Sequence, residues 1–320
     1  MARHTPTLHG LIPPFVTPLL DSDQLDIEGT QALVERVISG GVHGLFILGT
    51  TGEGTSLSPR LRHQYVELVS ESIKGRVPML VGVTETSMVS ALELAEQCYA
   101  AGAAAVVTAA PYYLPMTQDD LLHYTEEFAT RLPLPLVLYN MPSCTKTAYT
   151  IETVTRLSEH PNIIGIKDTS GDLGYFAQLA ELANSLEDFT LLIGPEEKLA
   201  KSIELGGHGG VCGGANMFPR LYVSLYEAAA KGDTQQADRL QSVVQQISDK
   251  LYSVTDSGAK VLQGVKTALG EMGICSGVVA PPFRTYGDHE RKIVREALAE
   301  LEPVIQEACP AEVISPTSKA

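Results

Sequence analysis

The sequence predicts an α/β protein in which eight strand–helix units close into a barrel and further helices pack against it. Three observations indicate this fold. Short apolar runs recur about every 30 residues, the length of one strand, one helix and two connections. Segments with helical periodicity separate these runs. No polar linker breaks the alternation, which favours a closed (β/α)8 barrel, the TIM-barrel architecture, over an open doubly wound sheet.

The eight predicted strands are continuous apolar runs, as expected for parallel strands that helices cover. The last run is short and flanked by glycines. In chain order the runs are residues 11–16, 44–48, 79–83, 104–108, 134–139, 163–166, 191–193 and 210–212.

The segments between the strands have the spacing and the start signals of helices. After the third strand, one stripe holds the apolar residues Met88, Ala91, Leu92, Ala95 and Cys98, as in an amphipathic helix. Side chains that suit helix N-caps precede three other segments: Ser58, Thr117 and Thr150. Local sequence and overall periodicity therefore predict the same elements.

The predicted division of the chain is a barrel of residues 1–232, a C-terminal helical extension of residues 233–308 and a tail of residues 309–320. Apolar stripes predict that the extension packs on the barrel. The tail is rich in Pro, Ser and Thr and has little to bury. Lys266, in an amphipathic helical segment of the extension, is expected to be an ordinary surface lysine.

Charge and cysteine usage limit the partners and the compartment. Lys plus Arg number 23 against 38 Asp plus Glu, a net charge of −15, so nucleic acid and anionic membrane surfaces should be repelled.

Nothing near Met1 resembles a signal peptide, and no apolar run is long enough to span a membrane. Scattered cysteines without a CxxC pair are typical of a reducing compartment: Cys98, Cys144, Cys212, Cys275 and Cys309. We therefore expect a cytoplasmic protein.

Barrel enzymes carry their chemistry at the carboxyl ends of the strands, which directs attention to the end of the sixth strand. There Lys167 follows small and apolar residues and should face a largely desolvated barrel mouth. Desolvation lowers the pKa of a lysine and makes its amine a nucleophile for carbonyl groups. The alternative is a solvated lysine paired with Asp168, the commoner situation for a lysine. The position in the barrel favours the nucleophile.

Residues at two other strand ends could act together with Lys167. Tyr139 ends the fifth strand and could relay protons, or simply cap the barrel core as a buried aromatic residue. The second strand leads into Gly49-Thr50-Thr51-Gly52-Glu53-Gly54, whose glycines and free amides suit a small carboxylate. This turn has neither the Walker pattern nor GxGxxG, which argues against nucleotide binding.

A second glycine-rich segment, residues 206–214, lies where the seventh and eighth units meet, a place where many barrels bind phosphate. Tight turns and close helix packing explain it at least as well, so we predict no phosphorylated substrate. The eight histidines show neither HxH nor HExxH spacing, and no metal is implied.

Four motifs stand in order on the predicted strand ends. They are Gly49-Thr50-Thr51-Gly52-Glu53, Pro111-Tyr112-Tyr113, Leu138-Tyr139-Asn140-Met141-Pro142 and Gly165-Ile166-Lys167-Asp168. Together they resemble the dihydrodipicolinate synthase and N-acetylneuraminate lyase family of class I aldolases. Four co-ordered motifs are far more specific than any one of them, and the resemblance covers nearly the whole chain.

The resemblance implies a reaction that needs no cofactor other than a covalent lysine Schiff base. Lys167 would form this Schiff base with pyruvate or another 2-keto acid. Tyr139 would be the proton shuttle, with Thr50 as its hydroxyl relay partner.

The resemblance also implies how the keto acid and the subunits are held. Thr51 would bind the keto-acid carboxylate, with backbone help from Gly194 and Val211. Tyr113 matches the tyrosine that in the synthases reaches into the site of a neighbouring subunit. The family assembles as a homotetramer, a dimer of dimers, so oligomerisation would be part of catalysis.

One departure from the family bears on the substrate. True synthases carry an arginine after the strand-five tyrosine, which holds the carboxylate of aspartate semialdehyde, whereas this sequence has Cys144. Loss of the planar guanidinium removes the anion clamp, and Lys146 offers only a flexible point charge. We therefore predict a lyase or aldolase that makes or breaks a C–C bond between pyruvate and an aldehyde, on a 2-keto-3-deoxy sugar acid.

Three other functions stay open. A genuine 4-hydroxy-tetrahydrodipicolinate synthase, which combines pyruvate with aspartate semialdehyde, would use Lys146 in place of the arginine. A non-catalytic keto-acid-binding sensor would keep the fold without turnover, although retention of Lys167, Tyr139 and Thr50 argues against it. A nicotinamide-dependent reductase is disfavoured because the sequence shows no basic cluster for a dinucleotide phosphate.

Overall fold

A computed structural model describes residues 8–313, and eight parallel strands form its centre. Two further strands, β2 and β3, pair as a small antiparallel hairpin between the first and second barrel strands. In chain order the strands are β1 (Gly10–Leu11), β2 (Leu19–Asp21), β3 (Gln24–Leu25), β4 (Leu45–Ile47), β5 (Met79–Gly82), β6 (Ala105–Ala109), β7 (Leu136–Asn140), β8 (Ile163–Asp168), β9 (Thr190–Ile193) and β10 (Gly209–Gly210).

The barrel closes between its first and second strands. The hydrogen-bonded order is β1-β10-β9-β8-β7-β6-β5-β4, so β1 and β4 lie at the two ends of the sheet. A parallel bridge between Pro14 and Phe46 joins these ends, and the N–H of Phe15 donates to the Phe46 carbonyl at 2.8 Å. Closure brings the carboxyl ends of all the barrel strands around one mouth.

Each predicted apolar run overlaps one barrel strand, and the predicted (β/α)8 barrel is confirmed. The predicted N-caps Ser58, Thr117 and Thr150 each accept a hydrogen bond from a first-turn N–H. The α-helices are α1 (Ile27–Ser39), α2 (Pro59–Ile73), α3 (Met88–Ala100), α4 (Gln118–Arg131), α5 (Pro142–Thr145), α6 (Ile151–Ser158), α7 (Leu173–Asn184), α8 (Leu199–Glu204), α9 (Pro219–Ala230), α10 (Thr234–Leu251), α11 (Lys260–Glu271) and α12 (Asp288–Ala308). Short 3-10 helices cover Glu196–Lys198 and Gly213–Asn216.

Apolar side chains fill the barrel itself as well as the layer between strands and helices. A large cluster packs the strands against the surrounding helices and includes residues of α10, α11 and α12. The interior of the barrel is therefore a packed core and not a pore. The separate cluster inside it consists of Leu8, Ile12, Phe46, Leu80, Ala105, Val107, Ala109, Val137, Tyr139, Ile164, Leu192 and Val211.

The C-terminal helices correct the expectation for Lys266, which is not a surface lysine. Lys266 lies on α11 and is 0% exposed. The sequence pattern predicts one buried stripe on this helix, but all of residues 262–269 are buried. Because α11 is enclosed on all sides, its polar residues are buried with its apolar ones, and Lys266 pairs with Glu53.

The predicted tail begins with packed residues. Glu312 is buried, accepts a hydrogen bond from the Leu221 N–H at 2.9 Å and lies 3.7 Å from the Arg36 guanidinium. Burial raises the pKa of the Glu312 carboxyl to about 7. Residues 314–320 of the predicted tail lie outside the described residues.

The second glycine-rich segment owes its composition to close packing. A Cβ on Gly209 would meet the Gly10 carbonyl oxygen at 2.1 Å, and one on Gly214 would meet the Tyr222 hydroxyl at 2.0 Å. These contacts favour the packing interpretation over a phosphate site.

In residues 8–313, no cluster of three His, Cys, Asp or Glu side chains suits a metal ion, and no helix is both long and apolar enough to cross a membrane.

Candidate active site

Lys167 is the penultimate residue of β8, and its amine lies at the barrel mouth. The residue is 5% exposed, and its Nζ lies 4.0 Å from the centroid of the Tyr139 ring and 5.2 Å from that of Phe46. Among the described residues, no carboxylate forms an ion pair with Lys167. The interpretation as a solvated partner of Asp168 is therefore wrong.

Asp168 has its own partners, because successive residues of a strand point to opposite faces. Its carboxylate accepts hydrogen bonds from Asn140 Nδ2 at 2.8 Å and from the Ser170 N–H and hydroxyl at 3.1 and 2.9 Å. Burial raises the pKa of the Asp168 carboxyl. Asp168 thus fixes the end of β8 against β7 and does not pair with the amine of Lys167.

Tyr139 is the register partner of Lys167 on the neighbouring strand β7. Its ring packs edge-on against Phe46, with the centroids 6.4 Å apart and the planes at 86°. Its hydroxyl lies 3.4 Å from the Thr50 Oγ1. The ring therefore belongs to the barrel core, while the hydroxyl reaches the mouth.

The turn that follows β4 presents Thr50 and Thr51 to the mouth. Gly49 is required there, because a Cβ would meet the Phe46 ring at 2.6 Å. Leu48 and Glu53 flank the turn with φ of 55° and 58°, a left-handed conformation that costs a non-glycine residue about 1–2 kcal/mol. Within the described part of the chain, no protein acceptor takes the N–H of Thr50 or Thr51, so both amides can hold an anion.

A cavity of about 410 Å³ collects most of the predicted site residues. Tyr113 is the exception, since it is 76% exposed and lies outside the lining. A Cβ on Gly194 would meet the Thr169 hydroxyl oxygen at 2.0 Å, which explains the glycine. The predicted residues in the lining are Lys167, Tyr139, Thr50, Thr51, Gly194 and Val211.

The backbone amides of Gly194 and Val211 are already used inside the barrel. The Gly194 N–H donates to the Asp168 carbonyl at 2.7 Å, and the Val211 N–H donates to the Ile193 carbonyl at 2.8 Å. Neither amide is available to a carboxylate. What these two residues offer a ligand is a carbonyl oxygen, which suits a hydroxyl donor.

Sequence reasoning missed several polar residues of the cavity, among them Thr169, Glu196 and Glu197. The Thr169 Oγ1 is buried and has no hydrogen-bond partner among the described residues. Its spacing of two residues from Lys167 could have indicated it, because alternate residues of an extended segment share a face. Glu196 and Glu197 lie in the short 3-10 helix after β9, where strand periodicity gives no signal.

Glu196 connects this 3-10 helix to the helices that follow the barrel strands. Its carboxylate accepts hydrogen bonds from the Tyr222 hydroxyl at 2.6 Å, the Gly214 N–H at 2.8 Å and the Tyr252 hydroxyl at 3.0 Å. Burial raises the pKa of the Glu196 carboxyl to about 7. The neighbouring Glu197 accepts a hydrogen bond from the Ser248 hydroxyl on α10.

Cys144, the departure noted in the sequence, is exposed and lines the cavity. Lys146 does not line it, and the Lys146 ammonium donates to the Tyr113 carbonyl at 3.4 Å instead. Among the described residues, Lys167 is the one cationic side chain of the lining, against three glutamates. The cavity is therefore poor in groups that could hold a second anion.

The mouth of the (β/α)8 barrel brings together a lysine amine without a carboxylate partner among the described residues, a tyrosine hydroxyl and an amide-rich turn. This set suits a lyase of the class I aldolase type. The sequence model of the Dihydrodipicolinate synthetase family matches residues 7–301. The chain belongs to this family, as the four motifs indicate.

Curated relatives and solved structures agree with this assignment. An uncharacterized DapA-like lyase of Halobacterium salinarum is 33% identical over 92% of this chain and 94% of its own. A 4-hydroxy-tetrahydrodipicolinate synthase of Methanopyrus kandleri is 32% identical over 92% and 96%. The structure of a dihydrodipicolinate synthase from Bacteroides thetaiotaomicron matches with a TM-score of 0.89 and 48% identity, covering 92% of this chain and 98% of that one. YagE of E. coli K12, solved in complex with pyruvate, matches with a TM-score of 0.87 and 30% identity over 93% and 99%.

Proposed function

We propose that this lyase forms a Schiff base between Lys167 and pyruvate and makes or breaks a C–C bond between pyruvate and an aldehyde, on a 2-keto-3-deoxy sugar acid. The observation that carries the proposal is the buried amine of Lys167, which has aromatic neighbours and no carboxylate partner among the described residues. The pyruvate complex of the related YagE supports the choice of keto acid. The reaction needs no cofactor, because the lysine supplies the electron sink as an iminium.

The proposed steps follow from the chemistry of an amine and a ketone. The neutral amine of Lys167 attacks C2 of pyruvate, and loss of water from the carbinolamine gives the Schiff base. Loss of a C3 proton gives an enamine, whose C3 bonds to the aldehyde carbon while the aldehyde oxygen gains a proton. Water then hydrolyses the Schiff base and restores the amine. Cleavage runs these steps in reverse.

In this proposal, one set of groups transfers protons and another set binds the keto-acid carboxylate. The Tyr139 hydroxyl, 3.4 Å from the Thr50 hydroxyl, passes protons to and from the carbinolamine and the aldehyde oxygen. The free amides of Thr50 and Thr51 hold the carboxylate. The carbonyl oxygens of Gly194 and Val211 accept hydrogen bonds from substrate hydroxyls and leave the carboxylate to the amides.

The acceptor is proposed from the charge of the cavity. An aldehyde with a carboxylate needs a cation at its far end, yet Cys144 stands where the synthases carry the arginine. The buried hydroxyl of Thr169 lacks a partner among the described residues, and Glu197 adds acceptor oxygens. Both groups suit a chain of neutral hydroxyls, as in the aldehyde released from a sugar acid.

A second candidate is a genuine 4-hydroxy-tetrahydrodipicolinate synthase, which the names of several relatives at 30–34% identity favour. This function requires a cation for the carboxylate of aspartate semialdehyde. Lys146 would have to leave the Tyr113 carbonyl and turn into the cavity. We rank this candidate second because a flexible ammonium replaces a bidentate guanidinium poorly.

We propose that the active form is a cytoplasmic homotetramer, a dimer of dimers, in which Tyr113 enters the site of a neighbouring subunit. Tyr113 and Leu114 are 76% and 69% exposed. Two adjacent large side chains at this exposure suit a subunit contact. The net charge of −15 supports the absence of nucleic-acid and membrane partners.

Borohydride trapping tests the proposal without the aldehyde. The intact protein is reduced with and without pyruvate, and its mass and peptide map are measured. We expect a pyruvate adduct on Lys167. No adduct in folded protein would overturn the Schiff-base proposal and favour the sensor. A panel of sugar-acid substrates and aspartate semialdehyde then ranks the two lyase candidates by kcat/KM.

A further inference from the structure

Glu53 and Lys266 form a buried ion pair that joins the turn after β4 to α11. The Lys266 Nζ lies 2.5 Å from the Glu53 Oε2, and the two side chains are 0% and 2% exposed. The other carboxylate oxygen of Glu53 accepts the Ala280 N–H at 2.6 Å. Lys266 also donates to the Thr17 carbonyl at 2.8 Å. Four points of the chain, distant in sequence, therefore meet at one carboxylate and one ammonium.

The turn held by this pair needs restraint. Leu48 and Glu53 have left-handed φ values at its two ends, and such strain persists only where the surroundings enforce it. The Thr17 hydroxyl adds a hydrogen bond to the Gly52 carbonyl at 2.7 Å. The conformation of residues 48–54 therefore depends on contacts outside the turn.

We propose that the Glu53–Lys266 pair is a positioning device for the keto-acid carboxylate site, acting through the backbone of Thr50 and Thr51. The inference rests on the proposed function, because it assigns the two free amides to pyruvate. Glu53 holds the end of the turn next to those amides, and Lys266 fixes Glu53 from α11. The C-terminal helices thereby set the geometry of a site to which they supply no reacting atom.

Alternative roles for the pair predict different behaviour. A merely structural pair changes the fraction of folded protein and the amplitude of trapping, but leaves the pyruvate concentration at half-maximal trapping unchanged. A positioning pair raises that concentration even in fully folded protein. Removal of one charge alone also leaves its partner buried without compensation, which is strongly destabilising. The informative variant therefore removes both charges.

The test compares wild type with Glu53→Gln, Lys266→Met and the double variant. We expect the double variant to be more stable than Lys266→Met, because no buried charge is left unpaired and the glutamine oxygen can still accept the Ala280 N–H. Its half-saturating pyruvate concentration should nevertheless rise about tenfold, the size of one well-placed hydrogen bond to a carboxylate. The maximum rate of trapping by Lys167 should change little.

Thr17→Val provides a second and milder variant, since it keeps the volume of the side chain and removes the hydrogen bond to Gly52. It should shift the half-saturating concentration in the same direction by about two- to fivefold. The matched control is the double variant Arg36→Met/Glu312→Gln, which removes another buried pair away from the cavity. It should lose stability with no change in the pyruvate dependence.

The outcomes separate the two proposals. Absence of an adduct in wild type overturns the proposed function. An adduct in wild type with unchanged pyruvate dependence in Thr17→Val and in the Glu53/Lys266 double variant overturns the positioning role alone. An equal shift in the Arg36/Glu312 control also overturns it, because the effect would then follow from stability.

Discussion

Two buried lysines of this protein have similar sequence surroundings and opposite environments. Lys167 follows Gly165-Ile166 and Lys266 follows Gly264-Val265. The Lys266 ammonium is held by a carboxylate and a carbonyl at 2.5 and 2.8 Å. The Lys167 amine lies against aromatic rings, with its open side toward a cavity.

The comparison shows that burial alone does not make a nucleophile. Burial lowers the pKa of Lys266, the effect that activates catalytic lysines, and its pairing with Glu53 opposes that shift. All the same, Lys266 is 0% exposed and its Nζ donates to the Glu53 carboxylate and the Thr17 carbonyl, so a carbonyl substrate cannot approach it. What distinguishes Lys167 is the lack of a competing carboxylate and an approach path for the substrate.

Replacement of each lysine by methionine should separate the two environments most strongly. Lys167→Met should abolish borohydride trapping and lower turnover about a thousandfold or more. Its free energy of unfolding should stay constant or rise, because no carboxylate loses a partner. Lys266→Met should still trap pyruvate at saturation, yet lose about 3–5 kcal/mol of stability because Glu53 is left buried alone. Mass spectrometry and urea denaturation measure both effects.

Two outcomes with these variants would contradict the proposed difference between Lys167 and Lys266. Trapping that survives in Lys167→Met would mean that another amine is the nucleophile. Equal stability losses in the two variants would mean that Lys167 also has a structural partner that the ion-pair geometry does not reveal.

Tyr139→Phe should give the next largest effect on activity. Phenylalanine keeps the ring against Phe46 and beside Lys167, and removes only the hydroxyl near Thr50. We expect kcat to fall about 100- to 1000-fold, as for loss of a general acid–base group, with stability nearly unchanged. The matched control is Tyr175→Phe, which removes a hydroxyl that donates to the Tyr149 carbonyl at 2.8 Å outside the cavity. A wild-type kcat in folded Tyr139→Phe would assign proton transfer to another group.

Cys144→Arg sharpens the comparison by adding a second cation to a cavity whose lining holds Lys167 as its one cationic side chain among the described residues. The guanidinium should favour an aldehyde that carries a carboxylate, so the kcat/KM ratio of aspartate semialdehyde to a sugar-acid aldehyde should rise about tenfold or more. Cys144→Ser serves as the neutral control. An unchanged ratio in folded Cys144→Arg would show that other parts of the cavity set the acceptor.

The strands and the strand-end residues could be predicted from the sequence, because a parallel barrel imposes a strict repeat. Lys167 and Tyr139 could be placed at the barrel mouth from the sequence, since they lie near the carboxyl ends of strands, where position determines which way a side chain points. Lys266 was misread because a single apolar stripe does not reveal that α11 is enclosed on every side. Glu196 was missed because it lies in a short 3-10 helix after β9, whose position depends on distant contacts with Tyr222 and Tyr252. Thr169 lies two residues after Lys167, a spacing that could have indicated it.

The buried carboxylates Glu53 and Glu196 can be compared in the same way as the two lysines. Here the expected effect is smaller and is measured as a change in the free energy of unfolding. Glu53 has a lysine partner, whereas Glu196 has two tyrosine hydroxyls and an amide, and burial raises the pKa of Glu196 from 4.5 to about 7. Between those values the folded state binds more protons than the unfolded state, so this carboxyl makes stability fall as pH rises from about 4.5 to 7. Glu196→Gln lacks that titration, and the stability advantage of wild type over it should shrink by about 3 kcal/mol between pH 4.5 and 7.5. Urea denaturation at several pH values measures the difference, with exposed Glu127→Gln as the control that should run parallel to wild type. Parallel curves for Glu196→Gln would mean that its three hydrogen bonds keep this carboxylate ionised without help from a lysine.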